Sequence, residues 1–283
     1  MKEKRAIEHL RAVQSGNAEF RVPDEPYYLA PDQPIVGRYV RVTEDANKDR
    51  SCGSATAGTW VWQPPEPTTA SRRPAKRHKG SFRGSSVDPL ENREKVYESY
   101  RLEYGQLWIL MADPRVVEIH DQPPPVTFVT AEGRERQHTF DYRAVFRNGR
   151  RVAYALKPSE RVERTGIETT LALIRQQSLV GFADTAVLRT EQTITRRAIH
   201  NARTLVWARS RRNQHDVDIA VARVAELLGA VQLKELVRAL GLGPRGRVAA
   251  LCLIDEEVLS FEDGAWIGDE TVLFPTVPES NAA

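Results

Sequence analysis

HTFDYRAVFRNGRRVAYALKP, residues 138–158, decides how this chain is built. Asn148-Gly149 is a strong two-residue hairpin signal, because such turns need residues that tolerate positive φ. The flanking segments 138–146 and 151–156 are rich in β-branched and aromatic residues and read as two antiparallel strands. The hairpin puts Asp141 on one strand and Lys157 at the end of its neighbour.

Upstream, residues 96–111 place apolar groups at 97, 100, 104, 107, 108 and 111, the spacing of a helix with one buried stripe. Glu103 borders that stripe. Glu98, five residues earlier, would lie about 140° round the same helix, so the two are not expected to face one site. Asp113-Pro114 ends the helix, since proline cannot continue it and restricts the residue before it. Residues 116–120 and 126–129 read as short strands separated by Pro123, Pro124 and Pro125, with a turn at Glu132-Gly133. Downstream, residues 161–180 carry apolar groups at 162, 167, 171, 174 and 179, so a second helix covers the sheet. Helix, strands, hairpin and helix in this order predict an α/β fold.

Glu103, Asp141 and Lys157 thus come from three successive elements. Carboxylate oxygens are hard ligands suited to Mg²⁺ or Mn²⁺, ions that keep several waters and hold a phosphate between carboxylates. Such an ion lowers the pKa of bound water and stabilises charge building up on phosphorus. A lysine beside it orients that water or neutralises the developing charge.

Leu102-Glu103, the connection 113–122 ending in Gln122, Thr139-Phe140-Asp141 and Leu156-Lys157-Pro158 follow one another across residues 96–160. In this order they resemble the catalytic domain of TnsA, the endonuclease subunit of heteromeric transposases, which has a PD-(D/E)xK nuclease fold. The resemblance implies a restriction-endonuclease-like mixed sheet flanked by helices, with Glu103 and Asp141 as ligands of Mg²⁺ or Mn²⁺, Lys157 as the catalytic lysine and Gln122 in support. It further implies double-stranded DNA at transposon ends as substrate, one strand being cut at each end, with an integrase-type transposase subunit and an AAA+ regulator ATPase as partners. One position departs from the pattern: where the family has Gln or Glu two residues before the lysine, this chain has Ala155. Either the Ala155 backbone carbonyl ligates the metal, which is the favoured substitute, or Glu160, Glu163 or Glu168 on the following helix swings in.

At 283 residues with 41% hydrophobic content, the chain is long enough for two domains plus tails. No apolar run of transmembrane length and no charged-then-apolar leader occur, so a cytoplasmic, nucleoid-associated protein is expected, without membrane contact. Cys52 and Cys252 have neither zinc spacing nor a disulfide framework. The net charge of +3 is modest, but its distribution is uneven. Residues 71–84 contain Arg72, Arg73, Lys76, Arg77, Lys79 and Arg83 and no acid, which suits a basic arm that neutralises DNA phosphates. A solvated linker is the alternative reading. Residues 1–70 form an extension with a possible helix over 7–13, a strand over 36–42 and a small-residue loop over 52–58, and no recognisable chemistry. The basic linker takes 71–92 and the nuclease-like domain 93–194.

From 195 the chain changes character. After a last strand within 182–189, residues 195–212 read as a helix bearing Arg196, Arg197, Arg203, Arg209, Arg211 and Arg212, suited to phosphate contact, a charged protein interface or plain solvation. Helices over 217–228, 231–240 and 247–257 and a hairpin over 258–274, turning at residues 262–264, follow. Gly241 to Gly246 matches G-x-G-x-x-G by letter, but it follows a helix rather than a strand and reads as a helix stop. Helix, turn, helix and hairpin is the pattern of a winged helix over 195–275, which also resembles the second domain of the family, before a disordered tail at 276–283. The 247–257 helix is apolar and acidic, suiting protein docking better than groove reading. No P-loop, nucleophile elbow or Cys/His catalytic set is present. Two rivals remain: a phage or defence nuclease of the same fold, and a catalytically silent DNA-binding or assembly module.

Overall fold

The computed structural model describes residues 38–41, 60–72, 83–89, 91–227 and 229–276. The chain divides into two units between Pro65 and Glu66. In the first unit, β1 (Arg38–Arg41) pairs antiparallel with β2 (Trp60–Gln63), so a strand forms inside the 36–42 segment. The helix expected over 7–13, the loop at 52–58 and the tail from 277 onward lie outside the described residues.

The second unit opens with a hairpin of β3 (Gly84–Asp88) and β4 (Arg93–Tyr97). The linker expected over 71–92 is therefore folded from Gly84 onward. Val96 and Tyr97 are buried in β4, so the helix expected from residue 96 begins later. Ser99 is its N-cap, accepting from the Leu102 amide. The first turn, Tyr100–Tyr104, is π-helical, a form that recurs at functional sites, and it runs into α1 (Gly105–Ala112). Leu107, Leu110 and Met111 supply the buried stripe.

Next come β5 (Val116–Asp121), β6 (Val126–Val129), β7 (Glu135–His138), β8 (Tyr142–Phe146) and β9 (Arg151–Leu156). After α2 (Ser159–Thr165) and α3 (Ile167–Gln177), β10 (Thr185–Arg189) completes a mixed sheet of order β10-β9-β8-β5. Only β9 and β10 run parallel in it. The single strand expected over 138–146 is two. β7 pairs with β6 in a separate ribbon, and the chain then crosses at 139–141, over the fully buried Phe140, into β8. The helix expected over 161–180 breaks at Gly166, which sits at φ +60° in the left-handed region.

Successive residues of β9 alternate between two cores. Val152, Tyr154 and Leu156 pack with Leu107, Leu110 and Met111 of α1, while Ala153 and Ala155 pack with Ile167, Leu171 and Ile174 of α3. A strand covered on both faces tolerates few polar side chains, as its sequence shows.

Thr195 caps α4 (Arg196–Arg209) and Asn213 caps α5 (Gln214–Ala225). Beyond them lie β11 (Val231–Gln232), α6 (Leu233–Leu240), α7 (Pro244–Asp255), β12 (Leu259–Phe261) and β13 (Val272–Pro275), with the strands ordered β11-β13-β12. Gly241 ends α6 and Pro244 begins α7, so the glycine-rich letters make a turn between helices. At Gly105 an added Cβ would stand 2.6 Å from Ile199 and 2.8 Å from Ile194, so glycine lets α1 approach α4 closely.

Two of the four arginines of α4, Arg203 and Arg209, and Arg212 beyond its end are engaged within the molecule. Arg209 donates to the carbonyls of Met111 and Ala112 at 2.7 and 2.9 Å and pairs with Asp255. Arg212 pairs with Glu256, and Arg203 lies over the rings of Tyr104 and Trp108. Among the described residues no helix is long and apolar enough to cross a membrane.

Candidate active site

Asp141 stands immediately before β8 rather than within it, yet it continues the ladder. Its amide donates to the Tyr154 carbonyl at 3.0 Å, and its carboxylate accepts from the Leu156 amide at 2.7 Å. Its own carbonyl accepts from Gln122, whose buried backbone is held at φ +44°. Burial raises the Asp141 pKa to about 6, against the opposing pull of the Leu156 amide and the charges of Lys157 and Arg72.

Glu103 is 8% exposed and sits in the π-helical turn ahead of α1. Burial first, and then the charge of Asp141, push its pKa up to about 8. The two carboxylates therefore lie within one electrostatic field, and burial combined with like charge is how a fold prepares a site for a compensating cation.

Lys157 follows β9 and anchors its backbone by donating to the Arg189 carbonyl at 3.1 Å. Its charge lowers the pKa of Asp141 and that of His138, whose value falls to about 4 mainly through burial. His138 is thus a neutral imidazole at physiological pH. It packs edge-on against Phe140, and its Nε2 is buried without a hydrogen-bond partner among the described residues.

Ala155 does not offer the carbonyl expected of it. Its side chain is fully buried in the core beneath α3. A strand residue presents its N–H and C=O to the same edge, and the edge alternates along the strand. The Leu156 amide faces Asp141 and the Lys157 amide faces β10, so the Ala155 carbonyl is directed at β10. The carbonyl on the Asp141 side is that of Leu156. Glu160, Glu163 and Glu168 are exposed on α2 and α3.

Glu98 is the acid that sequence periodicity misplaces. It lies between β4 and the Ser99 cap, off the helix, so the 140° separation does not apply. Its amide donates to Glu103 Oε2 at 2.7 Å, and its charge raises the pKa of both Glu103 and Asp141. Recognising Ser99 as an N-cap would have found it.

Arg72 reaches the same place from the other side of the sequence. Its Nε donates to Gln122 Oε1 at 2.8 Å and its Nη2 stands 3.5 Å from Glu98 Oε2. The strap before it is tied down: Thr68 donates to Asp121 at 2.6 Å and the Ser71 amide to the Gln122 carbonyl at 2.9 Å. Gln122 thus joins the backbone of Asp141 to the side chain of Arg72. Of the other basic-arm residues, Arg83 directly precedes β3, and Arg73, Lys76, Arg77 and Lys79 lie outside the described residues.

Among the described residues there is no cluster of three or more His, Cys, Asp or Glu able to hold a metal. Two carboxylates and one carbonyl oxygen fit a hard divalent ion that retains several waters, such as Mg²⁺ or Mn²⁺, and not a tetrahedral zinc centre. No family model and no curated protein matches this chain.

Proposed function

We propose that the chain is a divalent-metal-dependent nuclease. The observation that carries this reading is the pair of buried carboxylates, Glu103 and Asp141, with the proton affinity of both raised by burial, that of Glu103 also by the Asp141 charge, and with the Lys157 charge acting on Asp141. More narrowly, we propose a TnsA-like endonuclease subunit with a restriction-endonuclease-like core, cutting one strand at transposon ends in company with an integrase-type transposase and an AAA+ ATPase. The order of Leu102-Glu103, Asp141 and Leu156-Lys157-Pro158 supports this narrower reading.

Bound Mg²⁺ or Mn²⁺ would supply Lewis-acid charge to the phosphate and to an attacking water. Glu103 and Asp141 would hold it, with the Leu156 carbonyl as a third oxygen. Lys157 offsets negative charge on the phosphate, and Arg72 is placed to grip a neighbouring phosphate oxygen with its planar fork.

The C-terminal order of helix, strand, helix, helix and two strands, with β13 central, supports a winged-helix reading of residues 214–275. Ala249 through Ile254 are all buried, so α7 is a core element and not a groove-reading helix. Docking to a partner protein is the use this domain suits.

One observation favours the silent-module alternative. Ala155 places a buried methyl where the family pattern has an amide or a carboxylate. Incubation of the full chain, alone and with its transposase, with transposon-end duplex and Mg²⁺ or Mn²⁺ separates the two. Nicking that disappears in a Glu103→Ala, Asp141→Ala variant supports the nuclease. Identical behaviour of variant and wild type in every condition supports the module.

A further inference from the structure

On the sheet face that carries Val152 and Tyr154, against α1, the protein holds a half-open cavity of about 780 Å³. This is the opposite face from Ala155, and by alternation from Lys157. Ile109, Leu110, Phe146, Val152 and Val187 give it an apolar floor.

Four arginines line it, Arg115, Arg147, Arg150 and Arg189, against a single acid, Asp113. Asp113 is occupied by Arg115, which donates from Nε and Nη2 at 2.9 and 2.8 Å. Arg147 and Arg150 have neutral partners, the Pro114 carbonyl at 3.2 Å and Thr185 Oγ1 at 3.1 Å. The Nε of Arg189 is buried without a hydrogen-bond partner among the described residues. Burying a donor unpaired is costly, and no ion pair among the described residues engages Arg147, Arg150 or Arg189. Arg147, Arg150 and Arg189, none of them in an ion pair among the described residues although Arg150 lies within electrostatic reach of Asp184, thus line an apolar hollow flanked by two aromatic rings, Phe146 and Tyr154.

We propose that this cavity binds a phosphorylated nucleoside, its phosphate on Arg147, Arg150 and Arg189 and its base against Phe146 and Tyr154. Guanidinium forks match phosphate oxygens in pairs. The volume is that of a small-molecule site with an apolar lining and a few convergent polar groups. The same chemistry is offered by a free nucleotide and by the 5′-phosphorylated end of a nucleic-acid strand. The site does not depend on the nuclease reading, because none of its residues belongs to the carboxylate centre.

The test is calorimetric titration of the full chain in EDTA with dATP and, separately, with a short single strand carrying either a 5′-phosphate or a 5′-hydroxyl. Saturable binding of dATP, or of the strand only when it is phosphorylated, is expected. Binding should weaken by about tenfold or more in Arg150→Gln and in Arg147→Gln, as loss of one charge-assisted hydrogen bond implies. Both residues are exposed, and an unchanged melting temperature shows that the fold survives their replacement. Binding by dATP alone identifies the free nucleotide as occupant; binding by the phosphorylated strand alone identifies the strand end. Absence of saturable binding in both titrations overturns the proposal, as does binding that neither substitution weakens. Glu103→Gln, which removes one carboxylate of that centre, leaves this binding unchanged, so failure of the nuclease reading is told apart from failure of this one.

Discussion

The backbone amide of Glu98 is donated to Oε2 of Glu103 at 2.7 Å, across the junction where β4 ends and the π-helical turn begins. That bond favours the ionised form of Glu103, yet burial and the Asp141 charge outweigh it. Near neutral pH, without a cation, the two carboxylates therefore hold about one proton between them, because one value stands near 8 and the other near 6.

A pH dependence of stability follows. In the unfolded chain these groups lose their protons near 4.5 and 3.8, and in the folded chain near 8 and 6. The folded state binds more protons over that interval, so the pair's contribution to stability falls as pH rises from about 4 to about 8. In EDTA, the melting temperature of wild type relative to Glu103→Gln is expected to decline across this window. Saturating Mn²⁺ should flatten the decline and release protons on binding, measurable in buffers of different ionisation enthalpy. A difference that does not vary with pH would show that neither burial nor Asp141 raises the Glu103 pKa.

Lys157 acts on two titrating neighbours with one charge. Lys157→Gln is expected to raise the pKa of His138, though not to its ordinary 6.5, since burial is the larger cause of the depression. NMR titration of the His138 ring reads this directly. Under the proposed nuclease reading, the same substitution should lower DNA cleavage by about a hundredfold or more, as removal of a preorganised charge at a phosphoryl centre does. An unmoved His138 would place the lysine away from that ring, and unchanged cleavage would take the lysine out of the reaction.

Much of this arrangement was legible in the sequence where local chemistry is strong. A turn at Asn148-Gly149 and the β9 segment follow from turn preference and strand composition, and motif order singles out Glu103, Asp141 and Lys157. The turn is not the two-residue type expected, because Gly149 alone takes positive φ and its amide closes on the Phe146 carbonyl across Arg147-Asn148. What failed did so for identifiable reasons. Periodicity carried the helix back to residue 96, because Val96 and Tyr97 are apolar in a buried strand just as they would be on a helix. Strand propensity ran through 139–141, where tertiary packing of Phe140 diverts the chain between ribbon and sheet. That every residue offers a backbone acceptor points to the Ala155 carbonyl, whereas hydrogen-bond alternation turns it toward β10 and leaves Leu156 facing the site. The reach of Arg72 into the site depends on contacts with residues some fifty positions away, which no local signal encodes.

Arg72 distinguishes a phosphate contact from a solvated linker. If its guanidinium meets a DNA phosphate, Arg72→Ala reduces the slope of log affinity against log salt by about one unit. Since Arg72 also lowers the pKa of Glu103 and Asp141, the variant should shift both carboxylates further up and move the pH onset of Mn²⁺ binding to higher values. Fluorescence anisotropy over a salt series, with Mn²⁺ titrations at several pH values, checks both effects. An unchanged slope would assign Arg72 to holding Gln122 alone.

Arg209 links the carboxylate centre to the C-terminal region through a helix end. It supplies donors to the last carbonyls of α1, at Met111 and Ala112, and meets Asp255 at the end of α7 at 2.7 and 2.8 Å. The Asp255 side chain is only 9% exposed, so removing the arginine strands a nearly buried carboxylate and two helix-terminal carbonyls at once. Arg209→Ala is expected to cost about 3 kcal/mol, a fall of roughly 6–12 °C in melting temperature for a unit of this size. Asp255→Ala should cost less, because Arg209 keeps the two carbonyls. Because the clamp holds the C-terminal end of α1 while Glu103 stands just ahead of its N-terminus, Mn²⁺ affinity should weaken alongside stability in Arg209→Ala and hold in Arg209→Lys, which keeps a donor for the carbonyls. A double-mutant cycle between 209 and 255 measures the pair itself. Additive losses there would mean that α1 and the C-terminal region are held together by apolar packing of α1 on α4 and not by this ion pair.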